Sequence, residues 1–133
     1  TLMVVPARGG SKAIPRKNVQ PIAGRPLAVW AVAAGVACPE VDRVVLATDD
    51  DEIAETVRAH VTDRKLAVFR RSPESATDTA PSEAGVLEVL ARTACRRVIM
   101  AQPTSPLLGA ADLSAGLARM DREGADSVVS VDA

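Results

Sequence analysis

Aromatic side chains are nearly absent from this sequence of 133 residues, which contains one tryptophan, one phenylalanine and no tyrosine. The core must therefore be aliphatic, and few rings are available on which nucleic-acid bases could stack. The net charge of −1 also differs from the strong positive charge typical of nucleic-acid-binding proteins. Both shortages argue against nucleic acid as a partner.

Cysteines and long apolar runs are scarce as well. Cys38 and Cys95 match neither CxxC nor zinc spacing, so we expect two reduced core thiols in a cytoplasmic protein. No apolar run approaches the ~18 residues of a membrane span, and the apolar start is too short for a signal-peptide core. The single histidine, His60, has no matching serine or cysteine, which argues against nucleophilic catalysis.

Acidic residues are missing from the first 39 positions, where five basic residues stand: Arg8, Lys12, Arg16, Lys17 and Arg25. The remainder of the chain carries 11 basic and 17 acidic side chains. Two interpretations are open for this uneven distribution. The basic segment is either a solvated surface or a loop that binds a strongly anionic ligand.

Short β-branched runs alternate with amphipathic segments along the chain. The predicted strands are Leu2–Ala7, Arg43–Ala47, Leu66–Phe69, Arg97–Ala101 and Ser127–Val131, and the predicted helices are Pro26–Ala37, Asp50–Val61, Ala80–Thr93 and Ala111–Arg122. Continuous apolar strands are typical of parallel sheets covered on both faces. We therefore predict one α/β domain over residues 1–133, a three-layer α/β/α sandwich with a mainly parallel, Rossmann-like sheet.

Ligands of open α/β sheets bind beyond the carboxyl ends of the strands. Four polar segments follow predicted strands, and we expect them to share one rim: residues 8–18, 48–50, 70–78 and 102–105. In the first segment, Gly9 and Gly10 allow close backbone approach and could form an anion nest. Arg8 could grip a phosphate in a bidentate way, with Lys12 and Lys17 as point charges.

Two standard phosphate-binding patterns are absent from this loop. The stretch GGSKAIPRK matches neither the Walker A pattern GxxxxGK[ST] nor the dinucleotide fingerprint GxGxxG. A P-loop ATPase and an NAD enzyme are therefore disfavoured. A triphosphate remains a suitable ligand, because its charge must be offset before a nucleophile can approach.

Two further segments of the rim have alternative interpretations. Helix capping and dipole compensation account for Asp50 and Asp51, whereas Asp49 could equally contact a ribose hydroxyl or a metal. Gln102, Thr104 and Ser105 offer neutral donors and acceptors that suit a hydroxylated ligand. The same stretch is also typical of a rigid strand-to-helix connection.

The motifs PARGGSKAIPRKN, RVVLATDD, RRSPESATDTAPS, QPTSPL and ADSVVSV occur in an order that resembles the acylneuraminate cytidylyltransferases, the CMP-sialic acid synthetases. The resemblance covers nearly the whole chain and implies a nucleotide-diphospho-sugar transferase type of fold. It implies an enzyme that transfers a cytidylyl group from CTP to a nine-carbon acidic sugar or a Kdo-like sugar, releasing pyrophosphate. Magnesium, a cytoplasmic location and a homodimer of the full-length form are further implications.

The resemblance also assigns site residues by their position in these motifs. It implies catalytic roles for Arg8 and Lys17. Nucleotide contacts are implied for Arg8, Gly9, Gly10, Ser11, Lys17, Asn18 and Arg71, and sugar contacts for Gln102, Thr104 and Ser105.

The chain departs from the family pattern at several places. Leu108 stands where the family usually has arginine, Ala13 replaces a usual glycine, and Pro81 replaces a small residue. We expect the 133 residues to be the nucleotide-binding portion, without the family's C-terminal dimerisation and metal-ligand segment. The alternative function is a non-catalytic nucleotide-binding module or an inactive truncated relative.

Overall fold

The computed structural model describes residues 1–131, in which strands and helices alternate. Strand β1 (Leu2–Pro6) is followed by a 3₁₀ turn (Lys17–Val19), a hairpin of β2 (Pro21–Ile22) and β3 (Arg25–Pro26), and helix α1 (Leu27–Ala37). The remaining elements are β4 (Arg43–Thr48), α2 (Asp51–His60), β5 (Leu66–Arg70), α3 (Ser82–Leu90), β6 (Val98–Met100) and α4 (Ala110–Glu123).

The four long strands form one parallel sheet in the order β5-β4-β1-β6. At its centre Val4 pairs with Val45 of β4 on one side and with Met100 of β6 on the other. The chain therefore builds outward from β1 through β4 to β5 and then returns to the opposite side of β1. The order reverses between β1 and β6, which is where open α/β sheets form their ligand crevice.

Alternate residues of the central strands face two separate cores. Met3, Val5 and Leu46 pack with side chains of α1, α2 and α4 on one face of the sheet. Val4 and Ala47 pack with α3 on the other face. Helices thus cover both faces, which confirms the predicted three-layer α/β sandwich and its parallel sheet. The continuous apolar runs arise because neither face of the central strands meets water.

One predicted strand is wrong. Residues 127–131 are not a strand in the structure, and Val129 and Val131 are 79% and 85% exposed. Valines favour extended backbone, but a strand also needs a neighbour that satisfies its peptide groups. The register of the described residues gives this segment no partner.

Smaller differences have local causes. Helix α3 begins at Ser82 and not at Ala80, because helical backbone geometry is disfavoured for a residue that precedes proline. Pro81 itself has extended backbone and is the N-cap of the helix. Both cysteines are free thiols, but only Cys38 is buried, so the expectation of a core position was wrong for Cys95. Within residues 1–131 no helix is long and apolar enough to cross a membrane.

Candidate functional site

A cleft of about 120 Å³ opens at the carboxyl ends of β1 and β6, where the strand order reverses. Its lining comes from the segments after β1, β5 and β6, namely Pro6, Arg8, Lys17, Asn18, Arg71, Ala80, Ser82, Gln102, Pro103 and Thr104. The cleft therefore gathers three cations at one place together with neutral hydroxyl and amide groups.

Most of the residues predicted for the site line this cleft. Arg8, Lys17, Asn18 and Arg71 lie in it with Gln102 and Thr104, whereas Gly9, Gly10, Ser11 and Ser105 are outside its lining. Three of the four rim segments contribute lining residues. The fourth segment, after β4, does not line the cleft but hydrogen-bonds to the basic loop. Ala80 and Ser82 were not predicted, although both lie within the quoted RRSPESATDTAPS motif.

Arg8 and Lys12 share one carboxylate. Asp78 forms an ion pair with Arg8, and Lys12 Nζ lies 2.6 Å from its Oδ2. Hydrogen bonds from Lys12 and Arg8 lower the pKa of Asp78 below its ordinary value, so this residue is an anion at neutral pH. The sequence favoured Asp78 or Thr79 as the cap of the helix that follows β5, and this prediction was wrong, because α3 begins at Ser82 with Pro81 at its N-cap. Asp78 instead pairs with the basic loop.

Lys17 differs from the other cations of the loop. Among the ion pairs of residues 1–131, Arg8, Lys12 and Arg16 all have carboxylate partners and Lys17 has none. Lys17 is partly exposed and lines the cleft. Its charge is therefore available to an anion from solution.

The aspartates after β4 hold the basic loop against helix α2. Gly9 N donates a hydrogen bond to Asp49 Oδ1 at 2.9 Å. Asp50 caps α2 by accepting from Ile53 N at 3.1 Å, which confirms the capping interpretation of this residue. Asp50 and Glu52 also pair with the Arg16 guanidinium. Arg16 therefore connects the basic loop to the N-terminus of α2 through two ion pairs.

Gly9 is required by this close approach. A Cβ at Gly9 would lie 2.9 Å from Asp50 Cβ, closer than side chains tolerate. Its N–H is already engaged by Asp49, so Gly9 contributes no free donor to the expected anion nest. Packing against Asp50 therefore explains why glycine stands at this position, while the nucleotide contact of Gly9 stays a prediction.

Asn18 presents an unsatisfied acceptor at the cleft. The side chain is 6% exposed, and its Nδ2 donates to the Arg8 carbonyl at 3.0 Å. Its Oδ1 is buried without a hydrogen-bond partner among the described residues. A buried acceptor without a donor costs about 1–3 kcal/mol, so a donor from a ligand or a water molecule would be favoured there.

Arg71 is the most buried cation of the cleft, at 5% exposure. Its guanidinium donates to the Ser75 carbonyl, and Nε lies 3.4 Å from Ser75 Oγ. Burial lowers the pKa of Arg71 below its ordinary value, while the negative charges of Asp49 and Glu88 raise it. The guanidinium remains charged, because arginine is not deprotonated in proteins.

The segment after β6 forms a compact turn. Thr104 Oγ1 donates to Gln102 Oε1 at 3.3 Å, and Ser105 N donates to the Gln102 carbonyl at 3.2 Å. Both Gln102 and Thr104 are exposed and line the cleft. Neutral polar groups therefore border the three cations, so the cleft can bind an anion joined to a hydroxylated group.

The described residues do not bring together a resident metal site. No group of three or more histidine, cysteine, aspartate or glutamate side chains within residues 1–131 could hold a metal ion. The cleft lining also contains no carboxylate, the side chain that Mg²⁺ most often uses in proteins, so no chemical step at this cleft is assigned to such an ion.

Comparisons with known proteins agree on one family. The sequence profile of the family described as Cytidylyltransferase matches residues 2–132. Over 126 residues the chain is 36% identical to the N-acylneuraminate cytidylyltransferase of Oncorhynchus mykiss, covering 94% of this chain and 28% of that enzyme. Over 85 residues it is 38% identical to the pseudaminic acid cytidylyltransferase of Campylobacter jejuni, covering 64% of this chain and 35% of that enzyme.

A solved structure shares the fold. The CMP:2-keto-3-deoxy-manno-octonic acid synthetase complexed with CTP superimposes with a TM-score of 0.76 at 25% identity, covering 93% of this chain and 48% of that one. The chain thus spans about half the length of this structural relative and less than a third of the Oncorhynchus mykiss enzyme.

Proposed function

This chain belongs to the cytidylyltransferase family, and we propose that its cleft binds CTP and activates an acidic sugar as the CMP-sugar, with release of pyrophosphate. The observation that carries the proposal is the convergence of Arg8, Lys17 and Arg71 beside Gln102 and Thr104. The cations suit a triphosphate, and the neutral groups suit a sugar. The named relatives, which act on acylneuraminate, pseudaminic acid and a keto-deoxy-octonic acid, support a sugar acid as the acceptor.

In the proposed reaction a sugar hydroxyl oxygen forms a bond to the α-phosphorus of CTP, and the bond from that phosphorus to the pyrophosphate oxygen breaks. The hydroxyl proton passes to solvent, and pyrophosphate leaves as an anion. Arg8 and Lys17 would stabilise the negative charge that develops on the phosphoryl oxygens. Positively charged groups already in place before the reaction cost no reorganisation during it, and a partly buried cleft strengthens their effect.

Asp78 would compete with the triphosphate for two cations of the basic loop. Because it pairs with Arg8 and Lys12, entry of the triphosphate must exchange this carboxylate for phosphate oxygens. Lys17, which has no carboxylate partner among the described ion pairs, offers the first contact. The unsatisfied Oδ1 of Asn18 would accept from a hydroxyl or amino group of the substrate.

Three finer points are proposals that rest on the resemblance. Magnesium would arrive bound to the triphosphate oxygens, as part of the substrate. The full-length protein would be a homodimer and would act in the cytoplasm. Light scattering of the full-length protein, and dependence of turnover on added magnesium, would test the first two directly.

Calorimetric titration with CTP and a pyrophosphate-release assay test the proposal. We expect CTP to bind and pyrophosphate to form with at least one sugar from a panel of acylneuraminate, pseudaminic, legionaminic and keto-deoxy-octonic acids. Lys17→Met should weaken CTP binding about tenfold or more, because a charge-assisted contact is worth about 1.5–3 kcal/mol. Arg58→Met, an exposed charge removed from helix α2, is the matched control and should change the affinity little.

The two outcomes separate the enzyme from its alternative. CTP binding without pyrophosphate release from any sugar would contradict the enzyme and support a nucleotide-binding module. The absence of measurable CTP affinity would contradict both functions.

A further inference from the structure

We propose that Glu88 of helix α3 is a positioning residue for the Arg71 guanidinium, acting through Ser72 and Ser75. The inference rests on the proposed function, since Arg71 is assigned to the nucleotide. Glu88 is not part of the cleft lining, whereas Arg71 is. Glu88 therefore makes no direct contact in the cleft, and a positional effect on the nucleotide would pass through the residues between them.

The first link joins Arg71 to the turn that follows β5. Its guanidinium donates to the Ser75 carbonyl, and Nε approaches Ser75 Oγ at 3.4 Å. Ser75 is itself buried, at 6% exposure. The orientation of this buried cation therefore depends on where the Ser75 backbone and hydroxyl lie.

The second link joins that turn to α3. Ser75 Oγ donates to Glu88 Oε2 at 2.5 Å, and Ser72 N donates to both Glu88 oxygens, at 3.2 and 3.3 Å. One carboxylate thus holds both ends of the Ser72–Ser75 turn. These hydrogen bonds lower the pKa of Glu88 below its ordinary value, so the carboxylate is ionised at neutral pH.

A steric contact completes the arrangement from the same helix. Gly85 lies three residues before Glu88, hence on the same face of α3. A Cβ at Gly85 would meet Arg71 Cζ and Nε at 2.9 Å, so the guanidinium lies directly against the helix backbone. One face of helix α3 therefore packs against the Arg71 guanidinium through Gly85 and holds its hydrogen-bonding turn through Glu88.

Charge gives Glu88 a second effect on Arg71. A guanidinium removed from water needs a compensating negative charge, which Asp49 supplies in larger part and Glu88 in smaller part. Glu88 does so without forming an ion pair with Arg71 among the described residues, so no carboxylate occupies the guanidinium N–H groups that Ser75 does not engage. A carboxylate in direct contact would instead compete with phosphate, as Asp78 does for Arg8.

The first experiment needs no nucleotide. The Arg71 Nε–H signal is identified in a ¹⁵N correlation spectrum by its loss in Arg71→Met, and its exchange with water is measured. In Glu88→Gln this exchange should become about tenfold faster, because the hydrogen-bonded turn loses its anionic anchor. Glu83→Gln removes the same charge from an exposed position of the same helix and should leave the signal unchanged.

The second experiment measures CTP affinity in a double-mutant cycle. Glu88→Gln should weaken CTP binding about tenfold, and Glu83→Gln less than about twofold. In the Arg71→Met background, Glu88→Gln should cause no further loss, since residues that act through one another are not additive. A residue that only stabilised the fold would lower the melting temperature and leave the affinity of the folded protein unchanged.

The outcomes separate this inference from the proposed function. An unchanged Arg71 signal in Glu88→Gln, or additive losses in the cycle, would overturn the inference even if CTP binds. A wild-type protein without CTP affinity would overturn the proposed function and with it the nucleotide role, whereas the Nε–H exchange would still decide whether Glu88 orders Arg71. If Glu88→Gln does not fold, Ser75→Ala removes the intermediate hydroxyl and should cause the same change in exchange.

Discussion

Substituting Gly85 by alanine tests the packing of Arg71 against helix α3. Removing a glycine from a helix interior normally stabilises a protein by about 0.5–1 kcal/mol. Here the added methyl group would lie 2.9 Å from Arg71 Cζ and Nε and 3.3 Å from Nη1. Overpacking of this kind costs about 1–3 kcal/mol. The two effects oppose each other, and the net expectation is a loss of about 1 kcal/mol, within a range of about 0 to 2.5 kcal/mol, in the free energy of unfolding.

The matched control is Gly116→Ala in helix α4. A Cβ at Gly116 would meet no heavy atom within 4 Å, so this variant should show the helix-propensity gain of about 0.5–1 kcal/mol without a packing cost. The two substitutions are chemically identical, and both glycines lie inside helices. The difference between them therefore reports the contact with Arg71.

Urea denaturation followed by circular dichroism measures both free energies, and titration with CTP measures the functional effect. Because the displaced group is the guanidinium, Gly85→Ala should also weaken CTP binding, whereas Gly116→Ala should not. Equal stabilisation by the two substitutions would show that Arg71 does not lie against α3. That result would also remove the steric part of the argument for Glu88.

Four other predictions follow from single contacts. Asp50→Ala should lower the free energy of unfolding by about 1 kcal/mol through loss of the α2 cap, measured by urea denaturation, with exposed Asp51→Ala changing it by less than about 0.5 kcal/mol. The pKa of Glu88 is lowered in the folded protein, so its stabilising effect is present above the ordinary carboxyl pKa and is lost as the pH falls through the lowered value. The melting temperature of Glu88→Gln should therefore decline less steeply than that of the wild type as the pH is lowered. An identical decline would contradict the hydrogen bonds assigned to the Glu88 carboxylate. Asp78→Asn should strengthen CTP binding at low salt by freeing two cations of the basic loop; weaker binding would mean that the carboxylate organises the site instead of competing for it. Lys65→Met should cost about 1 kcal/mol in urea denaturation, since its ammonium group donates to two carbonyls at the end of α1, and no change in stability would contradict this capping role.

The fold was predictable because its signals are local. Strand β4 and helix α2 were predicted within one residue at each end. The β-branched run of β4 and the aspartate cap of α2 are both recognisable in the sequence. The segment 127–131 carries the same β-branched signal, yet it is not a strand. Its failure shows that propensity specifies an extended backbone only where a partner strand supplies hydrogen bonds.

The candidate site was predictable in outline, because the rim rule places polar segments that follow parallel strands on one edge. That rule and the resemblance led to Arg8, Arg71 and Gln102, which the cleft brings together. Neither could identify Glu88, whose spacing after Gly85 is ordinary for any helix. Its role becomes visible only through the turn that it holds.

The sequence by itself determined the alternation of strands and helices, the aliphatic core, the position of the basic loop and the family. Tertiary structure decided which cation meets which carboxylate. Arg8 pairs with Asp78 across 70 positions of sequence, and Arg16 pairs with Asp50 across 34. Such contacts depend on the order of strands in the sheet, which local propensity does not encode. For that reason only the folded chain distinguishes Lys17, which is available to a ligand, from neighbouring cations that already have partners.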